Sequence, residues 1–368
     1  MSVLRQVVID ARCLGTGIGT YSLNLLKGLA SRSREFDIRV ITSEKFRNQV
    51  EQYCDKVSIV NSPIYSLSEQ FTLPKAAAGA SLFHALHYNA PLFLRGRLVV
   101  TIYDLTHILD SSFRRTLKSW VYAQPMLRSV ASKADHIFTI STYSSKCISE
   151  VLHVNPEKIS VTYPGVSSEF RRLDRLQCTL RVSEALGVNS PFLLFVGNLK
   201  PHKNFLGLLS AFAILRKSGR IESSLAVVGD DAKGGLELRA RIQQLSLEDH
   251  VVVVPRVAKS LLVDLYNSAD LLVLPSFEEG FGLPVLESLA CGTPVACART
   301  ASLPEVGGGL AEYFDPYEYE DIADAIERAL CQKHRERIRL EGPMWSAQFG
   351  WGSCVDDVFG TYERLVLG

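Results

Sequence analysis

What this chain lacks narrows it before any motif is read. Eight cysteines, at positions 13, 54, 147, 178, 291, 297, 331 and 354, form no C-x-x-C pair and have no histidine at ligand spacing. Neither a disulfide framework nor a zinc site is expected, and the thiols should be reduced and mostly buried. No run of about 18 uncharged apolar residues occurs, so a membrane-spanning helix is not expected. Met1-Ser2-Val3-Leu4-Arg5 leads straight into an alternating apolar stretch, without the basic start, apolar run and small-residue site of an export signal. A cytoplasmic protein is the expectation. Asp-x-Asp pairs are absent, as is any His/Asp cluster with metal-ligand spacing. Basic residues form no dense cluster, so nucleic acid is not an expected partner.

What is present suits two soluble domains, each able to bury its own core: 368 residues, 47% apolar and 21% charged. The net charge of +1 hides an asymmetry. Residues 1–175 carry 22 lysines and arginines against 14 acids, an excess of eight, and the remainder carries 18 against 25, a deficit of seven. The first half therefore suits an anionic partner better than the second.

Short runs rich in valine and isoleucine alternate with longer segments of helical period. Strands are expected at Val7–Ile9, Ile38–Thr42, Leu98–Tyr103, His136–Ser141 and Ile159–Tyr163, and again from Phe192–Gly197 through Ser224–Gly229, Val251–Val254, Leu271–Pro275 and Pro294–Ala298. This is the βαβ rhythm of parallel sheets. Two Rossmann-like, doubly wound α/β domains facing a cleft are expected, over 1–175 and 176–351, with the polar stretch Ser167–Gln177 as linker. The helical segment 352–366 has no strand of its own to cover and is expected to pack back on the first domain.

In such folds the chemistry sits in loops that follow strands, and three loops stand out. Gly15-Thr16-Gly17-Ile18-Gly19-Thr20-Tyr21 opens onto a helix, where backbone N–H groups favour an anion. Thr20 breaks the dinucleotide fingerprint by one residue, and the glycines serve equally well in a tight turn. Gly197-Asn198-Leu199-Lys200-Pro201-His202-Lys203-Asn204 brings two lysines to a helix start, as a diphosphate site or as a solvated basic loop. Glu279-Gly280-Phe281-Gly282-Leu283-Pro284-Val285-Leu286-Glu287 joins a carboxylate, the amides of Phe281, Gly282 and Leu283, and a second carboxylate one turn beyond Pro284. Glu279 is either a hydroxyl-binding group or a satisfied cap of that helix.

The last run resembles the Glu-x7-Glu motif of the retaining glycosyltransferases of family 4, which have two Rossmann-like domains in the GT-B arrangement. Gly197 to Asn204, Gly15 to Tyr21, Thr139-Ile140-Ser141-Thr142-Tyr143-Ser144, Pro164-Gly165-Val166 and Phe349-Gly350-Trp351 resemble further family elements, in family order along nearly the whole chain. The resemblance implies a nucleotide-diphospho-sugar donor, GDP- or UDP-linked, held by the second domain. Glu287 would take the ribose hydroxyls, Lys203 the diphosphate and Glu279 the sugar hydroxyls. The Phe281, Gly282 and Leu283 amides, with the Gly17 to Gly19 loop, would hold sugar and phosphate. Glu279 and Lys203 are the implied catalytic pair, and no metal is implied. Asn198 stands where some relatives carry an arginine, a charge that Lys200 can supply. On the acceptor side Tyr103 occupies the place of a family histidine beside Asp104, and His107 lies three residues on.

The implied reaction moves a hexose, mannose or glucose, to a saccharide or lipid-linked saccharide in envelope polysaccharide or exopolysaccharide synthesis. A sugar-nucleotide epimerase and a non-catalytic binding module are the alternatives. Phe113 to Arg128 sets Phe113, Leu117, Trp120 and Val121 beside Arg114, Arg115 and Lys118, the pattern of an interfacial helix on anionic lipid at the inner face of a membrane. An ordinary amphipathic helix, shortened by Pro125 and packed on the sheet, is the other reading.

Overall fold

A computed structural model describes residues 5–15, 18–64, 66–106, 117–229 and 232–368. They divide into two units: residues up to Gly165 together with Gly350–Gly368, and Val166–Phe349.

The first unit is built on seven parallel strands: β1 (Gln6–Asp10), β2 (Asp37–Thr42), β3 (Lys56–Ile59), β4 (Leu82–Ala85), β5 (Arg97–Thr101), β6 (His136–Thr139) and β7 (Ile159–Val161), in the order β3-β2-β1-β4-β5-β6-β7. Both faces are covered, so the central strands are buried almost throughout rather than alternating. Its longer helices, besides the one that closes the chain, are α1 (Gly19–Ala30), α2 (Glu69–Ala76), α3 (Leu117–Lys133) and α4 (Thr142–Leu152) among the described residues. Ser141 caps α4, its hydroxyl accepting from the Ser144 N–H.

Pro125 does not end α3, contrary to the sequence expectation. Met126, Leu127, Val130 and Ala131 of the same helix lie in the core with Val8, Phe83 and Val100. Burying four such side chains outweighs the roughly 3 kcal/mol that an interior proline costs. The remainder of the segment expected to meet lipid, including Phe113, Arg114, Arg115 and the side chains of Leu117, Lys118, Trp120 and Val121, lies outside the described residues.

The second unit has six parallel strands, β8 (Phe192–Val196), β9 (Ser224–Val228), β10 (Val251–Val254), β11 (Leu271–Leu274), β12 (Val295–Ala298) and β13 (Glu312–Phe314), in the order β10-β9-β8-β11-β12-β13. Its helices are α5 (Arg175–Leu186), α6 (Phe205–Lys217), α7 (Ala232–Gln244), α8 (Lys259–Ser268), α9 (Leu283–Ala290), α10 (Leu303–Gly307), α11 (Tyr319–Leu330) and α12 (Gln332–Ser346). The stretch expected as a linker belongs to this unit. Leu173 N–H donates to Asn267 Oδ1 at 2.8 Å, Arg175 pairs with Asp270 at 2.7 Å, and Asp174 caps α5. Those bonds, not its polar composition, decide where residues 166–175 pack.

α13 (Trp351–Leu367) lies in the first unit. Val355, Val358 and Tyr362, spaced on one helical face, are buried there, and the Tyr362 hydroxyl meets His84 Nδ1 at 2.5 Å. A Cβ on Gly28 of α1 would come within 2.3 Å of Val355 Cγ2, so only glycine lets α13 approach so closely.

Candidate active site

In the second sheet the strand order reverses direction between β8 and β11, which are neighbours. A doubly wound sheet opens its crevice at the carboxyl ends of such a pair. The loops that leave these two ends are the ones the sequence singled out.

After β8 the chain turns at Gly197, whose N–H donates to Val228 O at 3.0 Å, and reaches a short turn over Pro201–Lys203. Asn204, in the left-handed region at φ +51°, donates through its side chain to Pro316 O at 2.8 Å. After β11, Phe277 N–H donates to His202 O at 2.8 Å and ties the second loop to the first. The consequence is one ion pair: Lys203 Nζ lies 2.5 Å from Glu279 Oε2, and each side chain is 13% exposed. Lys203 and Glu279 are thus brought together, near the surface but not in bulk water.

The Glu279 loop is fixed from below by residues that no sequence pattern flagged. The Ser302 hydroxyl is 2.8 Å from both Glu279 O and Phe281 O, and Thr300 Oγ1 donates to Ser276 O at 2.8 Å. Ser276 is buried, and its own hydroxyl has no partner among the described residues. Gly282 adopts φ +104° at the start of α9, where a Cβ would also crowd Leu303 Cδ2 at 2.8 Å. The helix ladder begins at Val285 N–H to Gly282 O, so the amides of Gly282 and Leu283 precede it. The Phe281 side chain is buried edge-on to Phe349, leaving only its backbone to the loop.

Glu287 follows on α9 and accepts from the Tyr266 hydroxyl at 2.8 Å. Burial pushes its carboxyl up to about 7, against the pull of Tyr266 and Lys259. Asn198 is exposed, and its Oδ1 accepts from Lys200 N–H at 3.4 Å.

The first unit disposes of its candidates differently. Gly17 and His107 lie outside the described residues. Gly19 begins α1, and a Cβ there would fall 2.1 Å from Leu14 O, so close packing alone demands a glycine. Tyr103 is buried, donates to Leu86 O at 3.2 Å and stands edge-on to Tyr21. Burial pushes its phenol well above the ordinary range. Asp104 Oδ1 accepts from Thr106 N–H at 2.9 Å.

Sequence reasoning also missed a cluster at the end of β1. Arg12 forks onto Asp10 and reaches Glu69 Oε2 at 2.9 Å and Ser62 O at 2.9 Å, while Asn89 donates to the other Glu69 oxygen. Burial raises the Glu69 pKa against the pull of Arg12. The only available signal was the pair Asp10 and Arg12 directly after a strand.

Among the described residues no group of three His, Cys, Asp or Glu side chains could hold a metal ion, and no helix is long and apolar enough to cross a membrane.

Residues 178–343 match the family model described as glycosyl transferases group 1, and residues 15–170 that described as glycosyltransferase family 4. The chain is 26% identical over 370 residues to the O-antigen chain mannosyltransferase B of Escherichia coli, covering 95% of this chain and 96% of that one. It is 26% identical over 387 residues to the D-inositol 3-phosphate glycosyltransferase of Mycobacteroides abscessus, covering 95% and 85%. Among solved structures, Anabaena Alr3699/HepE in complex with UDP-glucose superposes with a TM-score of 0.80 over 98% of this chain and 99% of that one, at 18% identity, which is a likeness of fold. The two parallel-sheet units match GT-B glycosyltransferase structures.

Proposed function

We propose that this chain, which belongs to the group 1, family 4 glycosyltransferases, moves a hexose from a nucleotide-diphospho-sugar to a saccharide or lipid-linked saccharide with retention of configuration. The observation that carries the reading is the Lys203 and Glu279 pair at the reversal point of the second sheet, with Glu287 on the helix that follows.

The chemistry follows from what these groups hold. A leaving diphosphate needs fixed positive charge, which Lys203 and the Gly282 and Leu283 amides supply. As Lys203 turns to the diphosphate, its bond to Glu279 weakens and frees carboxylate oxygens to accept from sugar hydroxyls. Binding the donor thus exchanges one ion pair for two separate contacts. Glu287 accepts from the ribose diol. Retention needs no enzymic nucleophile if the leaving phosphate oxygen takes the acceptor proton on the same face of the sugar. Charge at the diphosphate is met by protein groups, so no metal is required.

Mannose or glucose on GDP or UDP is the donor class we infer. The named activity of the Escherichia coli mannosyltransferase, and the UDP-glucose bound by the Anabaena protein, support that class. We infer an acceptor in envelope polysaccharide or exopolysaccharide synthesis, a reading that the name of the same relative supports. We place the reaction in the cytoplasm at the inner face of the membrane, a reading that the basic excess of residues 1–175 supports.

The test is a panel of nucleotide-sugars screened by thermal shift, followed by an assay of nucleoside diphosphate release with and without acceptor. Release that requires acceptor, with an anomeric configuration unchanged by NMR, is the expected result. Release without acceptor, or inversion of the donor sugar at a ring carbon, would replace transfer by hydrolysis or epimerisation.

A further inference from the structure

At the end of the second sheet opposite Lys203 and Glu279, where β11 and β12 begin, lies a cavity of about 320 Å³. Its wall comes from the stretch before α5, the residues preceding the two strands, and α12. Four arginines line it: Arg172, Arg175, Arg335 and Arg339.

Two carboxylates stand against them, Asp270 and Glu336. Asp270 is saturated, because its Oδ1 takes Arg175 at 2.7 Å and Arg335 at 2.8 Å while its Oδ2 accepts from Phe192 N–H at 3.1 Å. Glu336 accepts from Gln332, one turn back on α12, at 2.9 Å. Among the described residues neither Arg172 nor Arg339 has an acidic partner. The guanidinium of Arg172 donates to the Arg339 carbonyl at 3.2 Å. Two positive charges therefore remain in excess around a concave wall. Gly292, at φ +73°, completes it, since a Cβ there would press within 3.2 Å of the Arg172 stem and 3.4 Å of Arg339 Cα.

Like charges gathered in a hollow repel unless an anion lies among them. A carboxylate offers two oxygens and one charge. A phosphate offers three or more oxygens and close to two charges, which matches both the excess and the forked donors. We propose that this cavity is a second anion site, separate from the donor site, that binds a phosphate group, either free or on a monoester.

The test uses the full chain and inorganic phosphate, followed by 31P relaxation and calorimetry in 0.15 M NaCl. Arg172→Gln/Arg339→Gln removes both forks that lack acids and leaves the Asp270 pairs alone. It should weaken phosphate binding more than about tenfold. Arg339→Gln alone breaks no ion pair and should weaken it several-fold, which guards against a double variant that folds poorly. Lys203→Ala should retain this binding, so failure here is distinguishable from failure of the donor assignment. Vesicles of phosphatidylcholine with or without phosphatidic acid locate the phosphate. Sedimentation that needs phosphatidic acid and both arginines puts it on a lipid, and phosphate binding with no such sedimentation leaves it in solution. Phosphate affinity unchanged in both arginine variants, affinity lost only in Lys203→Ala, or no binding to either probe would overturn the proposal.

Discussion

The two units share a strand order about their first strand, β3-β2-β1-β4 and β10-β9-β8-β11, yet spend their charges differently at the strand ends. At the end of β1 the Arg12 guanidinium is consumed by Asp10, Glu69 and a carbonyl, and all of these acids are buried. At the end of β8 and β11 a single lysine meets a single glutamate near the surface. A guanidinium bonded through all three of its nitrogens is a fastener. An ammonium with one partner is a group that can change partners. The same topology therefore supports a strand end locked by buried charges in one unit and a strand end with a single ion pair near the surface in the other.

The sharpest way to break this contrast is Arg12→Ala, which strands two buried carboxylates and should cost about 3–5 kcal/mol of stability. Urea unfolding reads it, and a loss under about 1 kcal/mol would make the cluster as loose as the Lys203 pair. Glu279→Ala comes next, with transfer falling about 10²-fold while the melting temperature holds, since Glu279 sits on a loop. More than a tenth of the wild-type rate surviving would demote Glu279 to a cap of α9. Lys203→Ala should weaken nucleoside diphosphate binding by roughly 1.5–3 kcal/mol and leave nucleoside binding near wild type. Equal losses for both ligands in calorimetry would detach Lys203 from the diphosphate.

A smaller effect concerns pH. If the ribose diol is accepted by the Glu287 carboxylate, donor affinity should weaken below pH 7, by up to about tenfold per unit, and Glu287→Gln should flatten the profile. The sign for stability is opposite. The folded carboxyl keeps its proton up to about 7 against 4.5 for the free group, so stability is lost as pH rises through that window. A wild-type binding profile that stays flat from pH 5 to 8 would remove Glu287 from the ribose. The smallest expected effect is that of EDTA, which should leave transfer unchanged. Activity lost to the chelator and restored by Mg²⁺ would mean that Lys203 does not carry the diphosphate charge alone.

The alternation of apolar runs made the fold class legible, because buried parallel strands read as continuous Val, Ile and Leu. It failed for β4, whose Leu82-Phe83-His84-Ala85 holds a histidine that burial drives down to about 3 and so keeps neutral between Tyr362 and Thr101. It failed again for β13, where three residues are too few to show a period. The positions of the Lys203 and Glu279 loops were legible because both follow strands. Their supports were not. Ser302 lies 23 residues from Glu279, Tyr266 lies 21 from Glu287, and Glu69 lies 57 from Arg12. Such pairs are created by the fold and leave no spacing in the chain. Tyr103 shows the converse, because a matching position in a motif says nothing of whether its hydroxyl faces the core.

The return of α13 to the first unit has a consequence in time. A ribosome delivers β1 to β7 first, then all of Val166–Phe349, and only afterwards Val355, Val358 and Tyr362. His84 thus waits 278 residues for its hydroxyl partner, and the face of α1 at Gly28 stays uncovered for longer still. Domains ordinarily mature in the order in which they are made. Here the later unit is complete while the earlier one still lacks its closing helix, so during synthesis the second unit is finished before the first.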